Sequence, residues 1–404
     1  MEIEIRECSS LENLGKAFSP ISHYFGGDPS SEEMTRIEQV FDYRRAIYAS
    51  ENGLSVGGAA AHAYELTVPG GTVPAAGITI VGVKPTHRRR GILRQLMQKQ
   101  LDQVRAWNEP VAFLWASEET IYGRFGYGMA SLNGSFQVPN TANDFAQPFR
   151  SRGEIRILSL EDAYEPISQL YDRIRLEHPG MYSRTENWWK LRRMFEPPER
   201  KGPGNELNRA VLFIDGKPEG YALYRVNTTF EGAHNEGHLQ VVEALASTAD
   251  ATAEIWRFLL DIDWVPRVKV DFAAVDHPLL FLLARPRQMK LVVGDALWVR
   301  LVDVEQALKA RRIGDGDPVV LGIRDAFCPS NEGCYRVGNG TVERTSDAAD
   351  ISLDVSAMGS VYLGGFSFQE LARARRVEEI TEGALVRADA LFPSDRAPWC
   401  PEIF

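Results

Sequence analysis

The chain has 404 residues, 44% hydrophobic and 25% charged, with a formal net charge of −10 at pH 7. The length exceeds one ordinary core and predicts two or three domains, while the acidic balance argues against nucleic acid as the main partner. No apolar run reaches membrane-spanning length and the start, Met1-Glu-Ile-Glu-Ile-Arg6, lacks a signal-peptide pattern, so a cytoplasmic protein with no membrane partner is expected. Cys8, Cys328, Cys334 and Cys400 make no disulfide framework and have no histidines at zinc spacing, which predicts a reduced protein without a metal.

In chain order, Ile3 and Ile5 begin a short strand, and Ser30 with Glu33 forms a capping-box signature ahead of Met34, Ile37 and Phe41 at helical spacing. Asn52-Gly53 and Pro69-Gly-Gly71 bracket a strand from Gly57 to Val68. A second β-type run (Ile78, Ile80, Val81, Val83) stops at Pro85. Arg88-Arg-Arg-Gly91 then opens a helix with Leu93, Leu96, Met97, Leu101 and Val104 on one face. Val111-Ala-Phe-Leu-Trp115 reads as a buried strand, followed by Ala116-Ser-Glu-Glu-Thr-Ile-Tyr-Gly-Arg-Phe-Gly-Tyr-Gly128.

The Val81–Leu93 junction has the chemistry of an anion seat. Helix-start N–H groups are unpaired, the helix dipole is positive there, and glycine permits close approach. Arginines beside them supply charge for more than one phosphate.

Beyond the polar stretch 138–151, a strand at Glu154–Leu158 and a largely helical region from Glu161 to Arg193 are expected. A hairpin (Ala210–Ile214, Gly220–Val226), a strand (Leu239–Ala246), a helix (Ala251–Leu260) and a strand (Val268–Phe272) follow. This order repeats that of the first segment without its Arg-Arg-x-Gly turn, which suggests a duplication whose second copy does not bind the same anion. The last hundred residues read as a strand at Leu297–Val302, a helix at Val304–Arg312, short strands, the Gly338-Asn-Gly340 turn, and helices at Phe368–Ala374 and Val377–Ala390. Domains are expected at 1–138, 139–296 and 297–404.

The strand, the turn Pro85-Thr-His-Arg-Arg-Arg-Gly91 and the following helix resemble the acetyl-CoA signature of the GNAT N-acetyltransferases, with Leu93 where a small residue is usual. Ile121-Tyr-Gly-Arg-Phe-Gly-Tyr-Gly128 is similar to the next GNAT segment. With the length and the final phenylalanine, these motifs resemble the enhanced-intracellular-survival (Eis) type. The resemblance implies a mixed α/β (α+β) chain. Its expected architecture is tandem GNAT folds, each a splayed mixed β-sheet flanked by helices, and then a domain like sterol carrier proteins.

The resemblance also implies a cofactor, acetyl-CoA, on the backbone of Val81 and Val83. Its pyrophosphate would lie on the amides from Arg88 to Ile92, near the side chains of Arg88 and Arg89, with Gly91 at the turn and Ser117 opposite. Tyr122 is the implied general acid, with Tyr127 a nearby alternative. The main-chain carboxylate of Phe404 is the implied base, with Glu402 and Glu118 in reserve. Phe25 and Trp189 are the implied walls for an amine acceptor, where aromatic faces suit a cation. Trp188 and Trp189 suit an ordinary core equally well, and Asp28 and Glu32 are acidic neighbours of Phe25. Acceptors such as aminoglycosides or lysine side chains, and a hexamer, are implied by the family. A long-chain acyl-CoA N-acyltransferase and a non-catalytic CoA or lipid carrier are the alternatives.

Overall fold

The computed structural model describes residues 3–22, 24, 27, 29–195, 206–232 and 234–404. Its strands begin with β1 (Glu4–Glu7), β2 (Ala46–Glu51), β3 (Leu54–Val68), β4 (Gly71–Val83), β5 (Val111–Trp115) and β6 (Gly128–Met129). Next come β7 (Leu132–Pro139), β8 (Glu154–Ile157), β9 (Leu207–Ile214), β10 (Lys217–Asn227), β11 (Phe230–Glu231) and β12 (His234–Asn235). They are followed by β13 (His238–Ala246), β14 (Arg267–Ala273), β15 (Val292–Asp295) and β16 (Leu297–Leu301). The last five are β17 (Val319–Arg324), β18 (Gly333–Gly338), β19 (Thr341–Thr345), β20 (Ile351–Asp354) and β21 (Val377–Glu379). Contacts divide the chain into two compact units. The first is Met1–Ser131 with Ala296–Asp395 and Ile403–Phe404; the second is Leu132–Asp295 with Arg396–Glu402.

The first unit holds a seven-stranded sheet, β1-β2-β3-β4-β5-β16-β6, and a five-stranded sheet, β19-β18-β17-β20-β21. Helix Ile92–Ala106 lies on the larger sheet and buries Ile92, Leu96, Met97, Leu101 and Val104, each contributing about 1.5–3 kcal/mol through apolar burial. On helix Leu11–Ser22, Leu14 and Ala17 are buried. A Cβ at Gly58 would sit 1.9 Å from the Ala17 carbonyl oxygen, so the strand carries glycine at that crossing. The expected capping box at Ser30 and Glu33 is present.

The second unit holds β15-β7-β14-β13-β10-β9-β8. The β9–β10 hairpin turns through Asp215 and Gly216, both at positive φ (51° and 75°), as a tight two-residue connection requires.

Three expectations need correction. The boundary after residue 138 falls inside β7, which pairs with β14 and β15 in the second sheet. Leu297–Leu301, expected to open the last domain, is instead a strand of the first sheet, antiparallel to β5. Periodicity marks a strand but not its partner, and a long return connection leaves no local signal. The helix expected over Val377–Ala390 is split into β21 and a helix at Ala384–Leu391. Gly383, at φ 79°, starts that helix.

Candidate active site

β4 and β5 run parallel for three residue pairs, Ala75↔Val111, Ala76↔Ala112 and Gly77↔Phe113, and then part. β4 continues to Val83 with its other edge still paired to β3. At Ile80 the backbone turns through φ 50°, beside a register shift between Gly58 and Ala60. This is a β-bulge, a common device for re-aiming a strand beside a site. The parting strands open a cleft of about 710 Å³. Val81, Gly82 and Val83 line one wall, Arg88, Arg89, Gly91 and Ile92 one end, and Ser117, Glu118 and Tyr122 the opposite side.

The end of the cleft is a helix N-terminus. Gly91 caps helix Ile92–Ala106 at φ 79°, and no side chain bonds the first-turn amides. Left-handed backbone favours glycine, and open space surrounds the position an added Cβ would take. This arrangement suits a diphosphate.

The three arginines do different work. Arg88 donates from Nε to the Tyr24 hydroxyl (3.1 Å), which itself donates to the Val83 carbonyl (3.0 Å). Arg89, at φ 62°, lines the cleft. Arg90 is bound to Glu51 through both Nη atoms, and His87 Nε2 lies 2.9 Å from the same carboxylate. Arg90, followed by His87, holds the Glu51 carboxyl down at about 2. Arg90 therefore fixes the turn against β2.

On the opposite side Tyr122 is 5% exposed. Burial pushes its phenol up to about 12, against the effect of a side-chain hydrogen bond with Ser117, so it is protonated at neutral pH. Tyr127 packs edge-on against it (5.9 Å between centroids) but is 0% exposed, and its hydroxyl has no hydrogen-bond partner among the described residues.

A buried brace holds this segment from behind. The Arg300 guanidinium, on β16, donates to Asp325 at 2.6 Å, and both side chains are shielded from solvent. Asp325 also accepts from the Cys328 amide and the Asn331 side chain. A Cβ at Gly126 would sit 2.5 Å from Arg300 Nη1, which ties the glycine between Tyr122 and Tyr127 to this packing.

The chain terminus also enters the first unit. A Phe404 terminal oxygen accepts from Thr79 Oγ1 at 3.0 Å. The Phe404 ring packs between Tyr64 and Phe113, with centroids 5.5 and 4.9 Å away.

Several sequence-predicted residues lie elsewhere. Trp189 is not a cleft wall: it is 1% exposed in the core of the second unit, edge-on to Tyr171 and under the Arg184 guanidinium. A tryptophan at helical spacing fits a core as well as a pocket, and here its cation–π partner is internal. Glu402, a reserve base, is ion-paired with Arg184 at 2.6 Å and accepts from Trp188 Nε1. Glu118 is exposed on the cleft rim. Glu32 is exposed on helix Ser31–Val40. Phe25 and Asp28 lie outside the described residues. Tyr24, Glu51, Thr79 and the Arg300–Asp325 pair carry no sequence signal, because each matters through a partner distant along the chain. Among the described residues no His, Cys, Asp or Glu cluster is arranged to hold a metal, and no helix is long and apolar enough to cross a membrane.

Comparison with known proteins agrees with this geometry. Acetyltransferase (GNAT) domains match residues 7–130 and 180–301, and a sterol carrier protein domain matches residues 304–401. An uncharacterized N-acetyltransferase of Streptomyces avermitilis is 38% identical over 387 residues, 94% of each chain. N-acetyltransferase Eis of Mycobacterium tuberculosis strain H37Ra is 33% identical over 342 residues, covering 82% of this chain and 81% of that protein. The crystal structure of Eis1 from Mycobacterium abscessus superposes with a TM-score of 0.86 at 33% identity over the full length of both chains. With two GNAT domains and a C-terminal sterol-carrier-like domain, the chain belongs to the Eis-like GNAT family of N-acetyltransferases.

Proposed function

We propose that the protein moves the acetyl group of acetyl-CoA directly to primary amines, with Tyr122 as general acid and the Phe404 carboxylate as general base. The observation that carries this reading is a single cleft joining a splayed β4 edge, an uncapped glycine helix start and a buried, protonated tyrosine. The backbone of Val81 and Val83 suits the amide-bearing arm of acetyl-CoA, which would add alongside β4 as an extra strand does. The amides from Arg88 to Ile92, with Arg88 and Arg89, suit the diphosphate. Bound there, acetyl-CoA supplies the thioester whose carbonyl carbon is attacked.

The acceptor ammonium loses a proton to the Phe404 carboxylate and its nitrogen attacks that carbon. As the C–N bond forms and the C–S bond breaks, Tyr122 passes its proton to the departing sulfur. A second proton from the nitrogen restores the phenol. Acid–base assistance of this kind contributes about 10²–10⁴-fold.

The acceptors are cationic polyamines of the aminoglycoside kind or lysine side chains, which the net charge of −10 would attract. The family resemblance extends the reading to a cytoplasmic homo-hexamer, which light scattering tests. The decisive experiment is a thiol-release screen with kanamycin A, spermidine and a lysine peptide, using acetyl-CoA and myristoyl-CoA in parallel. Turnover with acetyl-CoA supports the proposal. Turnover with myristoyl-CoA alone, or tight CoA binding without thiol release, overturns it.

A further inference from the structure

Ile78 and Thr79 stand between the part of β4 paired to β5 and the part that lines the cleft. Pairing to β5 ends at Gly77, the strand turns at Ile80, and Val81–Val83 line the cleft. Thr79 lies between these points, and its hydroxyl donates to the Phe404 carboxylate at 3.0 Å. The surroundings are built to receive that terminus. Gly77 leaves room for it, since a Cβ there would sit 3.0 Å from the Phe404 ring and 2.5 Å from the Tyr64 ring. Tyr64 and Phe113 enclose the ring, and Phe404 is 7% exposed.

We propose that Thr79 is the positioning residue for the terminal carboxylate, holding it on the same strand that carries the acyl donor. The proposal rests on the reading of Phe404 as the base. A terminal carboxylate rotates about its last bonds, and a base is effective only within hydrogen-bond reach of the proton it takes. The Thr79 hydroxyl fixes that rotation from β4, two residues before Val81. Base and thioester are then set by one rigid element, and the carboxylate is stabilised in its charged form.

The test compares Thr79→Val, which keeps the shape and loses the donor, with Thr79→Ser, which keeps the donor. Two readouts are used: the pH titration of the terminal carboxyl by NMR with isotope-labelled phenylalanine, and the pH profile of kcat/KM with acetyl-CoA and kanamycin A. In Thr79→Val the carboxyl should titrate at higher pH and the acid limb of the profile should move with it. There kcat/KM should fall about tenfold, the size of one lost hydrogen bond to a charged group, with KM for acetyl-CoA unchanged. Thr79→Ser should restore both readouts. An unchanged titration in Thr79→Val overturns the proposal. A chain extended by one glycine after Phe404 separates the two claims. If the extension abolishes turnover while Thr79→Val keeps the wild-type rate, the Thr79 role alone fails; full activity of the extended chain overturns both.

Discussion

The two GNAT sheets part in the same way and differ in what stands at the opening. In the first unit β4 and β5 separate after three parallel pairs; in the second β13 and β14 do so after Leu239↔Val268, Gln240↔Lys269 and Val241↔Val270. The following helices begin differently. Gly91 leaves the first-turn amides of Ile92–Ala106 without a side-chain cap, beside arginines. Thr248 caps Ala249–Leu260 by accepting from the Ala251 amide, with Asp250 in the first turn. One helix start leaves its amides open to an anion, whereas the other has an amide capped and an acidic residue beside it.

The cleft walls differ too. The second cleft is a cavity of about 260 Å³ lined in part by Glu243, Trp256, His277, Arg396 and Trp399 of the same unit. Burial alone would raise the Glu243 carboxyl, but Arg184 and Arg193 outweigh it and hold Glu243 well below the usual carboxylate range. Burial keeps the His277 imidazole neutral, down at about 3. The splay therefore belongs to the fold, and the two clefts differ in the residues at the helix start and in the walls.

Five measurements bear on that contrast, from the largest effect to the smallest. Glu243→Ala would leave Arg184 and Arg193 buried with Glu402 in place of two shared carboxylates and should cost about 3 kcal/mol of stability in denaturant titration. A loss below about 1 kcal/mol would show that the second cleft is not held by its ion pairs. Tyr122→Phe should lower kcat about a hundredfold or more while leaving acetyl-CoA affinity intact by calorimetry. Unchanged turnover would remove Tyr122 from the chemistry.

Arg88→Ala and Arg89→Ala should each weaken acetyl-CoA binding about tenfold. Thr248→Gly in the second domain should create no acetyl-CoA site, because Asp250 remains; a second stoichiometric site in that variant would break the comparison. The smallest effect is a pH dependence. The Tyr122 pKa rises from 10.0 to about 12 on folding, so its stabilising contribution is present below pH 10 and is lost as pH climbs toward 12. The fall in Tm across that window should be shallower in Tyr122→Phe than in the wild type.

Much of the first cleft is legible along the chain because its parts are neighbours. The strand ending near Pro85, Gly91 and helix Ile92–Ala106 lie within about forty residues, and their periodicity and breakers are local signals. The motif position sets Tyr122 ahead of Tyr127, and burial also separates them: one lines the cleft and the other is sealed behind it. Arg90 is not told apart from Arg88 and Arg89 by composition, and its bond to Glu51 separates it. Trp189 reads as a pocket wall until it is found in a core with Arg184 over its face.

By itself, the sequence of this protein determined most of the elements, the glycine helix start beside arginines and the repeated order of strands and helices, since these follow from spacing over a few turns. Only the tertiary structure decided that β7 joins the second sheet and β16 the first, that Thr79 meets Phe404, and that Arg184 and Arg193 hold Glu243 in the second cleft. Those outcomes depend on pairing and burial between distant segments. There the free energy comes from which surfaces meet, and a linear pattern of residue types does not record it.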